Sequence, residues 1–298
     1  MTRVGVTRAG APEDVFSKER ARLLGLGYRI MGSLADAEDV VQEAWLRWSA
    51  ADRDAIEKPA AWLTTVTTRL ALDKLKSAHR RRETYVGPWL PEPVLTSPGP
   101  EEVAETAETL TLGFLAMLEQ LDPVSRVVFL LTDVFGYSSN EVSDAVGKTP
   151  PACRQIASRA RKKLHGAQPH RPSATDRAVA DRLLAAIAGG DTEAAMALMS
   201  QDVVLVTDGG PNRHAARRPV VGPWRVNRFL ANISKRVSPT VGIEAVTING
   251  AAGFRLRDPA GEQDAAMAFD LTDGVVSAIW VVTNPEKLTR IDTPVTLA

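Results

Sequence analysis

The chain has 298 residues, enough for two or three domains with substantial cores, and its 36 Lys and Arg balance 36 Asp and Glu. The zero formal charge names no partner class by itself. A single cysteine, Cys153, excludes an internal disulfide or a multi-cysteine metal cluster, and four scattered histidines have no ligand spacing. Residues 1–12 lack the apolar run of a signal peptide and no stretch approaches a membrane span, so a cytoplasmic protein with no membrane partner, metal or cofactor is expected.

Residues 1–12 are small and polar and are expected to be frayed. Phe16, Leu23, Leu26, Ile30 and Met31 recur at helical spacing, predicting a helix from Glu13 to Met31 that ends near Gly32-Ser33. The run from Asp36 to Trp48 sets Val41, Ala44, Trp45 and Trp48 on one stripe. Asp36 is its expected N-cap, and Glu38 and Asp39 put negative charge in the first turn, where the helix dipole favours it. Gln42 and Glu43 carry the polar face further. After a polar loop through Lys58, Pro59 opens a segment reaching Arg82. Its apolar positions Trp62, Val66, Leu70, Leu72 and Leu75 back a basic side of Arg69, Lys74, Lys76, Arg80, Arg81 and Arg82. Trp45, Trp48 and Trp62 are expected in the core. An acidic helix followed by a basic one suggests two partners, one cationic and one a polyanion.

These two stretches, DAEDVVQEAWLRW and PAAWLTTVTTRLALDKLKSAHRRRE, resemble region two of a bacterial sigma factor of the extracytoplasmic-function type, and the similarity runs through at least residues 16 to 166. The resemblance implies that Asp39, Gln42 and Glu43 dock on the clamp helices of the largest subunit of RNA polymerase. It implies that Arg69, Lys74, Lys76, Arg80 and Arg81 hold the melted downstream element, including the non-template strand. Thr68-Arg69 stands where family members often carry Arg-Asn.

Tyr85 to Pro100 is rich in Pro and Gly and reads as an extended linker. Within it, Trp89-Leu90-Pro91-Glu92-Pro93 has two prolines that fix an extended backbone and hold Trp89 and Leu90 outward, suited to lying in a groove. A stiff spacer is the equal alternative by composition. Leu112, Leu115, Leu118 and Leu121 predict a helix over 110–121, and Pro123 restarts one through Leu131. Gly136 to Gly147 gives a short helix ending in glycine. Thr149 caps the next, with Pro150 and Pro151 in its first turn, where a missing N–H costs little. That helix carries Arg154, Gln155, Ser158, Arg159, Arg161 and Lys162 on one side and Cys153, Ile156, Ala157, Ala160 and Leu164 on the buried side, a helix-turn-helix pattern. It resembles region four of the same family, with Ile156 in place of the usual basic residue. Arg154 and Gln155 have side chains able to read base edges, and Ser158, Arg159, Arg161 and Lys162 would fix phosphates of duplex promoter DNA. Contact with the polymerase flap is implied as well.

Past a polar hinge at 166–175 the character changes. Helical patterns over 176–188 and 191–199 precede a strand at Val203–Val206 and a turn at Asp208-Gly209-Gly210. A helix over 223–237 turns Val226, Phe229, Leu230 and Ile233 inward, and four strand candidates follow at 242–248, 253–257, 264–271 and 275–283. The order describes an α+β cone, and it looks like the SnoaL-like, NTF2-like superfamily. Such a fold has a pocket with room for a small ligand of unknown identity. Asp208, His214, Asp270 and Trp280 are the residues that could do acid–base chemistry there, but no spacing selects any pair, so a structural role is favoured. Asn284-Pro285-Glu286-Lys287-Leu288, together with Asp208-Gly209-Gly210 and the Trp89–Pro93 linker, resembles the motif set of the SigJ-like subgroup, which implies control in cis by the C-terminal domain.

The expected architecture is therefore multidomain. Two all-α domains, region two at 13–84 and a helix-turn-helix region four at 110–166, flank a linker at 85–109. An NTF2-like cone follows at 175–294. The expected function is promoter direction of core RNA polymerase, without catalysis. A ligand-responsive one-component helix-turn-helix regulator, and an isomerase or hydrolase fused to a DNA-binding front, are the alternatives.

Overall fold

The computed structural model describes residues 12–82, 84–96, 109–164, 172–260 and 264–297. Residues 1–11 of the expected frayed start at 1–12, residues 97–108 of the linker and residues 166–171 of the hinge lie outside the described residues, as do the side chains of Arg80 and Arg81. None of the described helices is long and apolar enough to cross a membrane. The chain forms two compact units that are not consecutive in sequence. One comprises residues 1–77, 123–158 and the last two residues, the other 78–122 and 159–296.

The first unit is all helical. Helices α1 (Pro12–Met31) and α2 (Leu34–Ala50) are joined by a tight turn, and the cap of α2 is Ser33, whose Oγ accepts from the Asp36 amide at 3.3 Å. Asp36 is thus a first-turn residue and not the N-cap expected from its position. The serine two residues after α1 leaves too little chain for a later start. Leu34, Ala37, Val40, Val41, Ala44 and Trp48 form the buried stripe of α2. Each fully buried aliphatic side chain of this kind contributes roughly 1.5–3 kcal/mol. Helix α3 (Pro59–Arg82), of which residues 59–77 belong to this unit, follows a short 3₁₀ turn. Trp48 is buried, whereas Trp45 and Trp62 are only partly covered, contrary to the core expectation for all three.

In the same unit, α5 (Pro123–Phe129) ends in a wide π-type turn over Leu130–Val134. Arg126, 2% exposed, donates from Nη1 to the Ile30 carbonyl at 3.0 Å. A cation there satisfies a terminal carbonyl of α1 and complements its dipole. Helix α6 (Ser139–Val146) opens with a capping box between Ser138 and Glu141 and closes on Gly147 at φ 66°. Helix α7 (Pro150–Lys163), of which residues 150–158 belong to this unit, follows, its Thr149 Oγ1 accepting from the Ala152 amide.

The second unit holds α4 (Leu112–Leu118, shorter at both ends than its leucine spacing predicts), the linker at 84–96 and the cone. Helices α8 (Ala174–Gly189), α9 (Thr192–Ala197) and α10 (Pro223–Ser234) pack on a six-stranded sheet. Its strands are β1 (Met199–Asp208), β2 (Val220–Val221), β3 (Gly242–Ile248), β4 (Ala251–Arg257), β5 (Ala265–Thr272) and β6 (Val275–Val282), ordered β2-β1-β6-β5-β4-β3. Only β1–β6 is parallel. Asn249-Gly250 and Asp273-Gly274 turn their hairpins with positive φ at both positions, the geometry that matches strand twist. The two-residue strand β2 escaped the sequence pattern because it is too short to alternate.

Successive strand residues point to opposite faces, and here both faces are covered. On one, Leu205, Phe254, Phe269 and Ile279 meet Ala180, Leu183, Val226 and Leu230 of the helices. On the other, Val206, Ala266, Ala268, Val282 and Ile248 meet Leu90, Leu112, Leu288 and Ile291. The linker and α4 are therefore core material of this unit. Gly113 permits the approach of α4, since a Cβ there would collide with the Asp270 carboxylate.

Candidate functional site

Asp39 and Gln42 stand exposed on α2, with Glu43 partly covered and ion-paired to Arg47 at 3.0 Å. Beside them runs a groove of about 570 Å³ lined by Phe16, Ser17, Arg20, Glu38, Val41, Gln42 and Trp45. Phe16 and Trp45 form its aromatic wall at 4.9 Å between ring centroids. Its lining mixes these rings and Val41 with polar and charged side chains.

The expected basic side of α3 is largely engaged. Lys74 Nζ lies 2.8 Å from Asp39 Oδ2 and 3.4 Å from Asp36 Oδ1, so the acidic and basic candidates neutralise each other. Lys76 pairs with Asp73 at 3.2 Å, and Arg69 donates to the Asp144 carbonyl at the end of α6. Exposed pairs of this kind are worth about 0–1 kcal/mol, so phosphates can displace them. Thr68 is buried, with no hydrogen-bond partner for its Oγ1, so position 68 has no surface to offer DNA.

On α7, Arg154, Gln155, Ser158, Arg159, Arg161 and Lys162 are all exposed, while Cys153, Ala157, Ala160 and Leu164 are buried. Arg154 Nη1 donates to Ser139 Oγ at 3.0 Å, which holds the guanidinium near the start of α6. Burial pushes the Cys153 thiol pKa upward, as befits a small core residue.

In the second unit the three remaining motifs meet at one buried carboxylate. Asp208, 1% exposed at the end of β1, accepts from the Tyr85 hydroxyl at 2.6 Å, the Leu90 amide at 2.8 Å and the Gly210 amide at 3.0 Å. Lys287 Nζ pairs with its Oδ2 at 2.6 Å and also donates to the Leu90 carbonyl. Trp89 is held between two cations, with Arg82 3.5 Å and Lys287 4.0 Å from its ring centroid. Arg82 is in turn fixed to Glu119 of the α4 segment at 2.7 Å. Asn284 caps α11 (Pro285–Leu288) through the Glu286 amide and donates to the Tyr85 hydroxyl at 2.8 Å. Gly210 has φ 60°, and a Cβ on it would stand 2.7 Å from Asn284 Nδ2. Burial lowers the Lys287 pKa to about 8 against the raising pull of Asp208, and burial followed by Asp208 holds the Tyr85 phenol well above its usual range.

Leu90 to Val94 are buried, Glu92 at 6% among them, and Trp89 is partly covered, so the stretch lies in a groove and is not a free spacer. Pro91 and Pro93 keep the backbone extended, and Leu95 bridges to Ile248. Asn249 secures the next stretch, accepting from the Val94 amide at 3.0 Å and donating to the Leu110 carbonyl at 2.9 Å. Tyr85, Glu119 and Asn249 escaped sequence reasoning, since their significance lies in contacts between residues far apart in the chain, and Arg82, expected on the basic side of α3, is held by Glu119 and Trp89.

Residues 15–81 match the family described as Sigma-70 region 2, and residues 112–164 match Sigma-70, region 4. The chain is 40% identical over 289 residues to the ECF RNA polymerase sigma factor SigJ of Mycobacterium tuberculosis, covering 92% of each. The probable ECF RNA polymerase sigma factor SigI of the same organism is 30% identical over 275 residues, covering 90% of this chain and 92% of that one. The crystal structure of Mycobacterium tuberculosis SigJ superposes with a TM-score of 0.76 at 36% identity, covering 93% of this chain and 98% of that one. The chain belongs to the extracytoplasmic-function RNA polymerase sigma factors. It works as a promoter-directing sigma factor, with core polymerase and promoter DNA as its partners.

The cone of this sigma factor encloses a cavity of about 720 Å³, within the range of small-molecule sites. Leu183, Ile187, Phe254, Leu256, Met267 and Phe269 line it, with Lys235 and Asp181 among the polar lining residues. Ile233, expected inward, is 43% exposed and contributes to the lining. Asp208, Asp270 and Trp280 do not line this cavity. Asp270 accepts from Trp280 Nε1 at 2.8 Å, and His214 is exposed in the loop after β1. Among the described residues no cluster of His, Cys, Asp and Glu could hold a metal ion.

Proposed function

We propose that this sigma factor docks Asp39, Gln42 and Glu43 on the clamp helices of the largest polymerase subunit, with the Trp45 groove taking an apolar side chain, while region four meets the flap. Arg69, Lys74, Lys76, Arg80 and Arg81 then hold the melted non-template strand. Arg154 and Gln155 read bases of the upstream duplex, and Ser158, Arg159, Arg161 and Lys162 fix its phosphates. The work is done in the cytoplasm.

The C-terminal cone regulates this activity in cis and catalyses nothing. The observation that carries the regulatory reading is the convergence of Trp89–Pro93, Asp208–Gly210 and Asn284–Leu288 on the Asp208–Lys287 pair. The linker joins the two DNA-reading parts in sequence, so its hold on the cone limits how far they can separate. Being intramolecular, that hold has a high effective concentration. A non-catalytic cone fits the apolar lining of its cavity and the placement of both candidate acids outside it. The cavity suits a small apolar ligand whose binding tunes the hold.

The test is promoter-dependent transcription with purified core polymerase, comparing the full chain with Asp208→Asn and Lys287→Met and with a chain lacking residues 175–298. Altered output from the point variants, alongside faster proteolysis within 85–95, supports regulation in cis. Equal output from variants whose linker has been released overturns it.

A further inference from the structure

From Gly209 to Ile243 the sequence contains no Asp or Glu, yet it carries Arg213, Arg217, Arg218, Arg225, Arg228, Lys235 and Arg236. In a chain whose charges cancel only in total, this is a marked local asymmetry. The segment runs through the loop after β1, the edge strand β2 and helix α10. Arg217, Arg218, Arg225 and Arg228 are exposed. Trp224 is 56% exposed on the outer face of α10, with the Arg228 guanidinium 5.2 Å from its ring centroid, and Val221 beside it is 48% exposed. The inner face of α10 is occupied with Val226 and Leu230 in the cone core, so the outer face is not needed for folding. Asp202, the carboxylate on the neighbouring stretch of β1, accepts a hydrogen bond from Ser200. The loop also forms a crevice of about 220 Å³ lined by Gly209, Gly210, Asn212, Arg213, His214 and Arg217, large enough for a phosphate and lined by no carboxylate.

We infer that this surface of the C-terminal domain binds the phosphate backbone of duplex promoter DNA, adding a sequence-independent contact to those of regions two and four. Charge decides the class of partner, since clustered arginines without intervening acids neutralise phosphates and release counterions. The aromatic count decides between duplex and melted strand. Single strands are held on a succession of stacking rings, and here one exposed ring stands among seven cations. Arginine suits the task because its fork meets phosphate oxygens bidentately.

The test uses the full chain and fluorescence anisotropy with a labelled mixed-sequence duplex of about 30 base pairs, roughly three helical turns. The variants are Arg217→Glu/Arg218→Glu, Arg225→Glu/Arg228→Glu, Trp224→Ala and, as a charge control on α8, Arg182→Glu. Each double variant is expected to weaken duplex binding about tenfold or more and to lower the salt slope by about 2, while the control leaves both unchanged. Where a double variant loses its melting transition, the corresponding Gln pair replaces it. Unchanged slopes, an equal effect from Arg182→Glu, a loss confined to single-stranded DNA, or a loss confined to core polymerase would each overturn the assignment. Base preference, which belongs to α7, is expected to stay as in the parent chain.

Discussion

Lys287 reaches Asp208 at 2.6 Å across 79 residues of sequence, and that pair closes the carboxyl end of β1 against the linker. Both side chains are covered, at 12% and 0% exposure, so the contact is not a solvent-screened surface pair. Removing one partner strands the other charge in a site that also holds Trp89 and Tyr85.

Asp208→Asn is accordingly expected to destabilise the second unit by about 3–5 kcal/mol, the usual effect of breaking a buried pair. Thermal denaturation of the full chain measures it. Lys287→Met, which removes the charge and keeps an apolar stem, should cost less. Losses under about 1 kcal/mol for both would mean that packing, and not charge, holds the linker.

The Lys287 titration gives a pH dependence with a definite sign. Its folded pKa is lowered to about 8 from the usual 10.5, so between those limits the unfolded chain binds more protons and stability rises with pH. Tyr85 opposes this only above about pH 10, where it ionises first in the unfolded chain. Lys287→Met should therefore flatten the stability profile between about pH 8 and 10. An unaltered slope in a pH series of urea melts would count against the burial of this ammonium.

For region four, Arg154→Ala should lose about 1–3 kcal/mol of discrimination at the base it reads. Lys162→Ala should weaken binding to all sequences alike and lower the salt slope by about 1. Competition binding against a randomised duplex library separates the two outcomes.

On α2, Gln42→Ala with Glu43→Ala is expected to weaken association with core polymerase about tenfold while leaving the melting temperature within a few degrees. Asp39→Ala has a second consequence, because it frees Lys74 from its 2.8 Å pair. That variant should bind DNA somewhat better in the absence of polymerase, as read by filter binding at low salt.

Elements were legible where residues of one kind recur at a fixed period. The buried stripe of α2, the capped start of α7 and the four late strands all follow from local pattern, because side-chain direction repeats every 3.6 or 2 residues. Asp36 is expected as the cap of α2 because Ser33 reads as part of the turn that ends α1, whereas one serine serves both. Ile233 sits at the right helical spacing but borders the cavity instead of packed side chains, so it stays 43% exposed. The meeting of Tyr85, Asp208, Asn284 and Lys287 could not be derived from spacing, since it rests on β1 running parallel to β6 and carrying distant segments to one end. The pairing of Lys74 with Asp39 was hidden for the same reason.

The bridge between Leu95 and Ile248 has a bearing on how the cone behaves when cut from its neighbours. Strand β3 is the last of the sheet, and among the described residues Arg177 reaches its Val246 carbonyl while the linker runs along its end, Thr96 donating to the Thr247 carbonyl and Val94 pairing with Asn249. A fragment starting near residue 175 would lack the linker and display unpaired amides beside bare Val206, Ala266 and Ala268. Such a fragment should self-associate by strand addition, and a peptide copy of residues 85–96 should return it to the monomer.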